Sequence, residues 1–254
     1  MRLLLTRPQP DAQRTAAALR QRGHAVIVAP MLSIEALADA EIGAGSWTGS
    51  WAGSWAGSWS GSWTAIAITS ANAAAAVATH RQRQALLGLP AFAVGERSAQ
   101  AMRAAGFADV TSANGGSGDL ARLFAARLAP GASILYLAGE QRSGDLDAKL
   151  RAQGFRVQTV TIYRAVAAAT LPAAAIDALA SGIDGVAHFS RRSAEAYVNA
   201  ARAAGLLAAA LKPAQFCLSE QIGEPLRRAG AASVRVAPRP VEAALIEIIE
   251  ANPK

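Results

Sequence analysis

Short apolar strand signals, each leading through a polar turn into a stretch with helical spacing, recur along the whole chain, and this alternation limits the fold more than any other feature. Leu3-Leu4-Leu5 runs into Thr6-Arg7-Pro8 and then into an amphipathic stretch at residues 11–22 that Gly23 closes. Ala25-Val26-Ile27-Val28 follows as a second strand. The same order returns at residues 65–70 with a helix from Ala71, and at 91–95 with a helix over 97–105 ended by Gly106. Further strands are expected at 133–137, 157–160, 185–190, 215–219 and 233–237. Parallel strands joined by helical crossovers satisfy this pattern, with helices covering both faces of a doubly wound sheet. Eight or more strands suit two small sheets.

Internal similarity supports the division into two. Three pairs of segments read alike, in the same order, when slid along one another by a nearly constant offset. Arg2-Leu3-Leu4-Leu5 with Gly23-His24-Ala25-Val26 matches Ser133-Ile134-Leu135-Tyr136-Leu137 with Gly154-Phe155-Arg156-Val157. Ala67-Ile68-Thr69-Ser70 matches Ala187-His188-Phe189-Ser190, and Phe92-Ala93-Val94-Gly95-Glu96 matches Phe216-Cys217-Leu218-Ser219-Glu220. Two copies of one fold are implied.

Composition removes several classes. With 254 residues, 52% hydrophobic and 17% charged, the chain can bury one large or two modest cores and is not a disordered polymer. Its apolar runs, such as residues 73–78, fall well short of the ~18 needed to cross a bilayer. Thr6-Arg7-Pro8 stops the first apolar run before a signal core forms, so a cytoplasmic protein without a membrane partner is expected. One cysteine, Cys217, and the scattered His24, His80 and His188 make neither a disulfide frame nor a zinc cage, and no metal is expected. Lys and Arg total 25 against 18 Asp and Glu, a net +7, and only Lys149, Lys212 and Lys254 are lysine. Guanidinium groups pair carboxylate or phosphate bidentately, which points to an anionic partner; high-GC coding also favours Arg and Ala, and composition leaves both readings open. No basic run, helix-turn-helix or RNA-stacking motif accompanies the charge, so no nucleic-acid partner is expected.

Two segments stand outside the alternation. Residues 46–64 repeat Ser-Trp-x-Gly and hold all 5 tryptophans, Trp47, Trp51, Trp55, Trp59 and Trp63. Period four would align them on a helix, but Gly49, Gly53, Gly57 and Gly61 would each cost a helix about 1 kcal/mol. The segment reads as a low-complexity expansion of the loop before the Ala65 strand, with a helical turn or an adhesive partner surface as alternatives. Asn114-Gly115-Gly116-Ser117-Gly118-Asp119 has the glycines of a phosphate cradle without a following lysine, and reads instead as a loop capping a helix from Leu120.

The ordered combination Thr6-Arg7-Pro8, Gly23 with Pro30, Thr69-Ser70-Ala71-Asn72-Ala73, Val94-Gly95-Glu96-Arg97-Ser98-Ala99, Leu137-Ala138-Gly139 and Tyr163-Arg164 resembles the uroporphyrinogen-III synthase family over nearly the whole chain. Ser219-Glu220-Gln221-Ile222-Gly223 departs from the Gly-x-x-Thr-Ala turn of many relatives. The resemblance implies two flavodoxin-like parallel-sheet domains, the second inserted into the first. One would comprise residues 1–33 and 167–254 and the other 36–162, with a two-stranded linker at 34–35 and 163–166; a continuous split near residue 130 is the rival. It further implies a monomeric, cofactor-independent carbon–oxygen lyase that closes the linear tetrapyrrole hydroxymethylbilane, a carrier of eight carboxylates, into uroporphyrinogen III with its last ring inverted. A non-catalytic two-domain binding protein for an anionic small molecule shares the same fold and stays open as the alternative.

In open parallel sheets the turns after the strands gather at one edge, where helix N-termini offer N–H groups to anions. In the first half these turns supply Thr6, Arg7, Ser70, Asn72, Gly95, Arg97 and Ser98. Gly139, Arg142, Ser190, Arg191, Arg192, Ser219 and Gln221 follow in the second half. All are expected to bind substrate carboxylates in one cleft, although each alone also suits a helix cap or a solvated arginine. The resemblance places Tyr163 there as proton donor, with a packed linker tyrosine as the other reading; Tyr136 and Tyr197 read as core. Glu96, Glu140 and Glu220, just after strand ends, read as first-turn partners of helix dipoles.

Overall fold

The computed structural model describes residues 1–43, 46–47, 50–51, 55–56, 59–60, 63–142 and 144–252. The chain divides into two compact units, Met1–Ile34 with Val166–Lys254, and Glu35–Ala165. It opens with β1 (Arg2–Leu5), α1 (Asp11–Gln21) and β2 (Ala25–Val28), then leaves the first unit along β3 (Leu32–Ala36). Next come β4 (Ser46–Trp47), β5 (Ser50–Trp51), β6 (Trp55–Ala56) and β7 (Trp59–Ser60), all within the tryptophan repeat. The second unit continues with β8 (Ala65–Ile68), α2 (Ala71–Thr79), α3 (Arg83–Leu87), β9 (Ala91–Ala93), α4 (Glu96–Ala105), β10 (Val110–Ser112), α5 (Ser117–Arg127), β11 (Ser133–Gly139) and α6 (Leu146–Ala152). Strand β12 (Arg156–Ala167) leads back to the first unit, which ends with α7 (Ala173–Ala180), β13 (Gly185–His188), α8 (Arg191–Ala203), α9 (Leu207–Leu211), β14 (Ala214–Cys217), α10 (Glu220–Arg228), β15 (Val234–Val236) and α11 (Glu242–Glu250).

The first unit's sheet runs β15-β14-β13-β1-β2 and each of its ladders is parallel. Counted in chain order within the unit this is 2-1-3-4-5, the flavodoxin-like arrangement. The second unit's sheet runs β10-β9-β8-β11-β12-β3. Laid over the first, β11 takes the place of β1, β12 of β2, β8 of β13, β9 of β14 and β10 of β15. The three segment pairs that read alike in sequence thus occupy equivalent strands, with the chain order circularly permuted. The permutation follows from the insertion, since the second unit begins with the equivalent of the first unit's third strand.

Period-two alternation builds two cores on each sheet. Leu3 and Leu5 pack with Phe216, Leu245 and Ile249 on one face, while Leu4 packs with Tyr197, Leu211 and Leu226 on the other. In the second unit Ile66, Ile68, Leu135 and Leu137 join Val77 and Met102, whereas Ala65, Ala67, Ile134 and Tyr136 join Phe124 and Phe155. The strands read as unbroken apolar runs because both faces are covered. Strand β12 is longer than the sequence suggests: twelve residues, not four, because its backbone continues to pair with β11 as far as Tyr163 and lies beside β3. Tyr163, expected in a linker, therefore stands in a sheet. Glu35 and Arg164, where the two connecting strands run side by side, form two hydrogen bonds of 3.0 and 3.1 Å.

In the repeat, β4 pairs antiparallel with β7 and β5 with β6, setting Trp47 opposite Trp59 and Trp51 opposite Trp55. The loop expected over 46–64 otherwise lies outside the described residues. Helix α5 starts at Ser117 rather than Leu120, and the Gly116 N–H donates to the Asp119 carboxylate at 2.7 Å. The helix's own carboxylate thus occupies the glycine-rich turn that resembled an anion cradle.

A polar chain runs inside the first unit. Thr6, His188 and Gln215 are each 0% exposed. The Gln215 amide donates to the carbonyls of Ala210 at 3.1 Å and Pro213 at 2.8 Å. Its oxygen therefore faces His188 Nε2 at 3.0 Å and can only accept, which fixes the proton on Nε2. Nδ1, without a proton, lies 3.2 Å from Thr6 Oγ1, whose single hydroxyl proton is also within reach of the Ala187 carbonyl at 3.0 Å. Burial pushes the His188 pKa down to about 4, against the opposing effect of the Gln215 bond. The folded protein refuses a proton that the unfolded chain accepts below about pH 6.5, so this stabilisation is complete above that pH and is lost as the pH falls toward 4. The unfolding free energy measured in urea at pH 7 and pH 4 is expected to differ by about 3 kcal/mol more in the parent chain than in His188→Gln. Identical pH slopes in the two proteins would contradict the buried neutral histidine.

Candidate functional site

Each sheet has one position where the strand order reverses, and in such folds the turns beside it leave room for a ligand. In the first unit it lies between β1 and β13, followed by Thr6-Arg7 and by Ser190-Arg191. In the second it lies between β11 and β8, followed by Gly139 and by Thr69-Ser70. Strand β12, carrying Tyr163, flanks this second position.

On the rim of the second unit, Ser70 caps α2 in extended conformation and its hydroxyl accepts the Asn72 N–H at 3.2 Å. Gly95 precedes α4, and its carbonyl takes the Ser98 and Ala99 N–H groups at 3.0 Å. Tyr136 Oη lies 2.9 Å from Thr69 Oγ1. Burial raises the Tyr136 pKa, opposed by the Thr69 bond and the Arg142 charge and assisted by Tyr163 and Asp147, so this hydroxyl stays protonated. Tyr163 packs partly buried against the core beside Leu137 and Ile162. Its carbonyl accepts the Glu140 N–H at 3.0 Å, and among the described residues its hydroxyl has no hydrogen-bond partner. Arg97 and Arg142 are exposed.

The rim of the first unit repeats this plan. Ser190 caps α8 by accepting the Ser193 N–H at 3.1 Å, and its hydroxyl donates to Ser193 Oγ at 2.8 Å. Ser219 precedes α10 without a side-chain cap bond, and Gln221 is exposed in that helix's first turn. Arg191 is half-exposed and pairs with Glu195 at 2.8 Å and Glu224 at 3.5 Å, and its Glu195 bond raises its pKa further. Arg192 is partly buried. Glu96 and Glu220 open equivalent helices and are each held by an arginine seven residues on, Arg103 and Arg227. Their negative charge is thus compensated locally.

Several expected binding residues have little exposure. Thr6, Ser98 and Gly139 are buried. Arg7 has only 15% of its side chain exposed and is already taken by carboxylates. It donates to Asp11 at 3.0 Å, to Glu242 at 2.9 Å and to Thr15 at 3.0 Å, with its guanidinium carbon 4.6 Å from the Phe189 ring centre. Burial would raise the Glu242 pKa, but bonds from Thr15 and Arg7 and the charges of Arg7 and Arg14 outweigh it. Arg7 ties its loop to α1 and α11. The hydroxyl pair Thr69–Tyr136 escaped the sequence reading because a tyrosine amid Leu135 and Leu137 looks like core, and it is core except at its tip. Among the described residues no group of three His, Cys, Asp or Glu could hold a metal, and no helix is long and apolar enough to cross a membrane. Burial pushes the Cys217 thiol up to about 12, which removes it as a nucleophile.

A protein-family model described as uroporphyrinogen-III synthase HemD matches residues 13–247. No curated protein matches the chain. Among solved structures, uroporphyrinogen-III synthetase from Helicobacter pylori superposes with a TM-score of 0.62 at 14% identity, covering 99% of both chains. Wild-type uroporphyrinogen III synthase from Thermus thermophilus gives a TM-score of 0.43 at 16% identity, covering 99% of this chain and 97% of the other. The first of these likenesses bears on the fold.

The contacts of Arg7 predict a structural effect. Arg7→Gln leaves the largely buried Asp11 and Glu242 with only the more exposed Arg14 as cation and is expected to lower the unfolding free energy by roughly 2 kcal/mol, below the cost of stripping a fully buried pair. Arg191→Gln, on an exposed pair, is expected to leave the urea midpoint unmoved. Equal midpoints for Arg7→Gln and the parent would contradict this reading.

Proposed function

The chain belongs to the uroporphyrinogen-III synthase family, and from that premise we propose that it closes hydroxymethylbilane to uroporphyrinogen III as a cofactor-independent lyase with Tyr163 as proton donor. The observation that carries this reading is the family match over residues 13–247. Water leaves the substrate when the hydroxymethyl C–O bond breaks, its oxygen takes a proton, and the pyrrole nitrogen supplies the electron pair that makes an azafulvene. The substituted carbon of ring D attacks this electrophile and gives a spiro intermediate. That intermediate breaks its bond to the neighbouring methylene bridge and recloses at the other ring position, losing a proton to restore the pyrrole.

Spontaneous closure joins the free carbon instead, so the protein's contribution is to hold the substituted carbon against the electrophile. Correct placement of reacting groups is worth up to ~7–11 kcal/mol in favourable cases. The rims offer such placement through Ser70, Asn72, Ser190, Ser219 and Gln221 beside helix N-termini, whose first N–H groups have no intrahelical partner. Arg97, Arg142 and Arg191 add exposed cations for the substrate carboxylates. Tyr163 can deliver the proton through a hydroxyl that is uncommitted among the described residues. A monomer acting in the cytoplasm without nucleic acid is part of the same proposal.

The test supplies hydroxymethylbilane to purified protein and separates type I from type III product by chromatography. Type III product is expected, and type I product at the spontaneous rate would sink the proposal. Tyr163→Phe is expected to slow turnover about tenfold, the low end for an acid catalyst because a phenol is a weak acid, with type III still the product. Unchanged turnover would return Tyr163 to a packing role.

A further inference from the structure

We infer that Gly139 and a β-bulge at Ile162 form the seat that aims Tyr163, which makes Gly139 a positioning residue rather than a substrate contact. The inference rests on the reading of Tyr163 as proton donor, but its geometry stands apart from that reading. Strands β11 and β12 pair residue for residue from Ser133 opposite Arg156 to Ala138 opposite Thr161. The next pair is Gly139 with Tyr163, so Ile162 is the extra residue of a bulge.

The bulge decides which way Tyr163 points. In a regular strand Ile162 and Tyr163 would face opposite sides of the sheet. Here Ile162, 1% exposed, lies in the core with Leu135 and Leu137, and Tyr163 packs against that same core. Without the extra residue the phenol would turn to the face occupied by Tyr136 and Phe155. The Glu140 N–H bond to the Tyr163 carbonyl, 3.0 Å long, fastens the backbone immediately beyond the irregularity.

Once aimed, the ring needs space, and Gly139 provides it. A methyl group on Gly139 Cα would lie 2.5 Å from Tyr163 Cζ, 2.7 Å from its Oη and 2.8 Å from Cε2. All three are closer than carbon atoms approach, and all three lie toward the hydroxyl end of the ring. Gly139 has no positive φ to account for its identity. The close approach of the phenol does account for it. Any side chain here would push away the atom proposed to carry the proton, and that displacement forfeits the share of the rate that the Tyr163 hydroxyl supplies.

The experiment combines Gly139→Ala with Tyr163→Ala and reads both turnover and the Tyr163 ring resonance by NMR. That resonance is identified among the 3 tyrosines by its loss in Tyr163→Phe. Gly139→Ala is expected to move it, to lower kcat by up to about tenfold, the loss expected of Tyr163→Phe, with KM changed less than about twofold, and to add no further loss in the Tyr163→Ala background. An unmoved resonance, or a full additional loss in that background, would overturn the inference. Should Gly139→Ala fail to fold, recovery of folding in the double variant supports the seat, and failure of both overturns it. The resonance is read without substrate. A wild-type protein that yields no type III product would therefore defeat the proposed function while leaving this test intact.

Discussion

Burial of two parallel sheets on both faces is the constraint from which the other features follow. A strand such as β8, all of whose residues are buried, can exchange polar groups with solvent only at its ends. Each crossover returns the chain so that the following helix starts at the carboxyl edge, and its first N–H groups need partners that the helix cannot supply. Ser70 and Ser190, at equivalent strand ends of the two units, each meet one of those N–H groups with a side chain. The polar rims are therefore a by-product of burying apolar strands, and any chemistry had to be placed on them.

Duplication explains why the rims resemble one another and circular permutation explains why the resemblance is easy to miss. The strand equivalences extend to side chains that no core packing requires, such as the Glu96–Arg103 and Glu220–Arg227 pairs at the starts of α4 and α10. The rims also diverge at equivalent places. Next to β1 the turn is filled by Thr6, His188 and Gln215, a closed set of polar partners with no exposure. The equivalent positions beside β11 are Leu137, Ile68 and Ala91, all in the apolar core. One unit has a sealed polar knot where the other has packed aliphatic side chains.

Local sequence carried the fold further than the site. Apolar runs such as Ile66–Ile68 and the glycines that close α4 and α1 reveal strands and helix ends because each depends on a few neighbouring residues. The fate of Arg7 depends on Glu242, which is 235 residues away in sequence, so a turn arginine that looked available for an anion is already paired. Likewise Thr69 is assigned to the rim only once Tyr136 reaches it from a neighbouring strand. The bulge at Ile162 has no glycine or proline to announce it, and the length of β12 past it comes from pairing with β11, which periodicity within one segment does not encode.

Net charge is consequently a poor guide to where an anion would be held. Of the rim arginines, Arg7 and Arg191 already face two carboxylates each, so only part of the +7 of the whole chain is offered at the strand ends, by exposed residues such as Arg97 and Arg142. Beside these cations stand serine caps and helix N–H groups, which are fixed in direction by the backbone and cost no side-chain ordering when a carboxylate arrives. A surface of free arginines would bind a flexible polyacid in many poses, because long side chains follow the ligand. Donors fixed by the sheet would admit few poses, and for a ring closure whose outcome depends on which carbon meets the electrophile, fewness of poses matters more than strength of attraction.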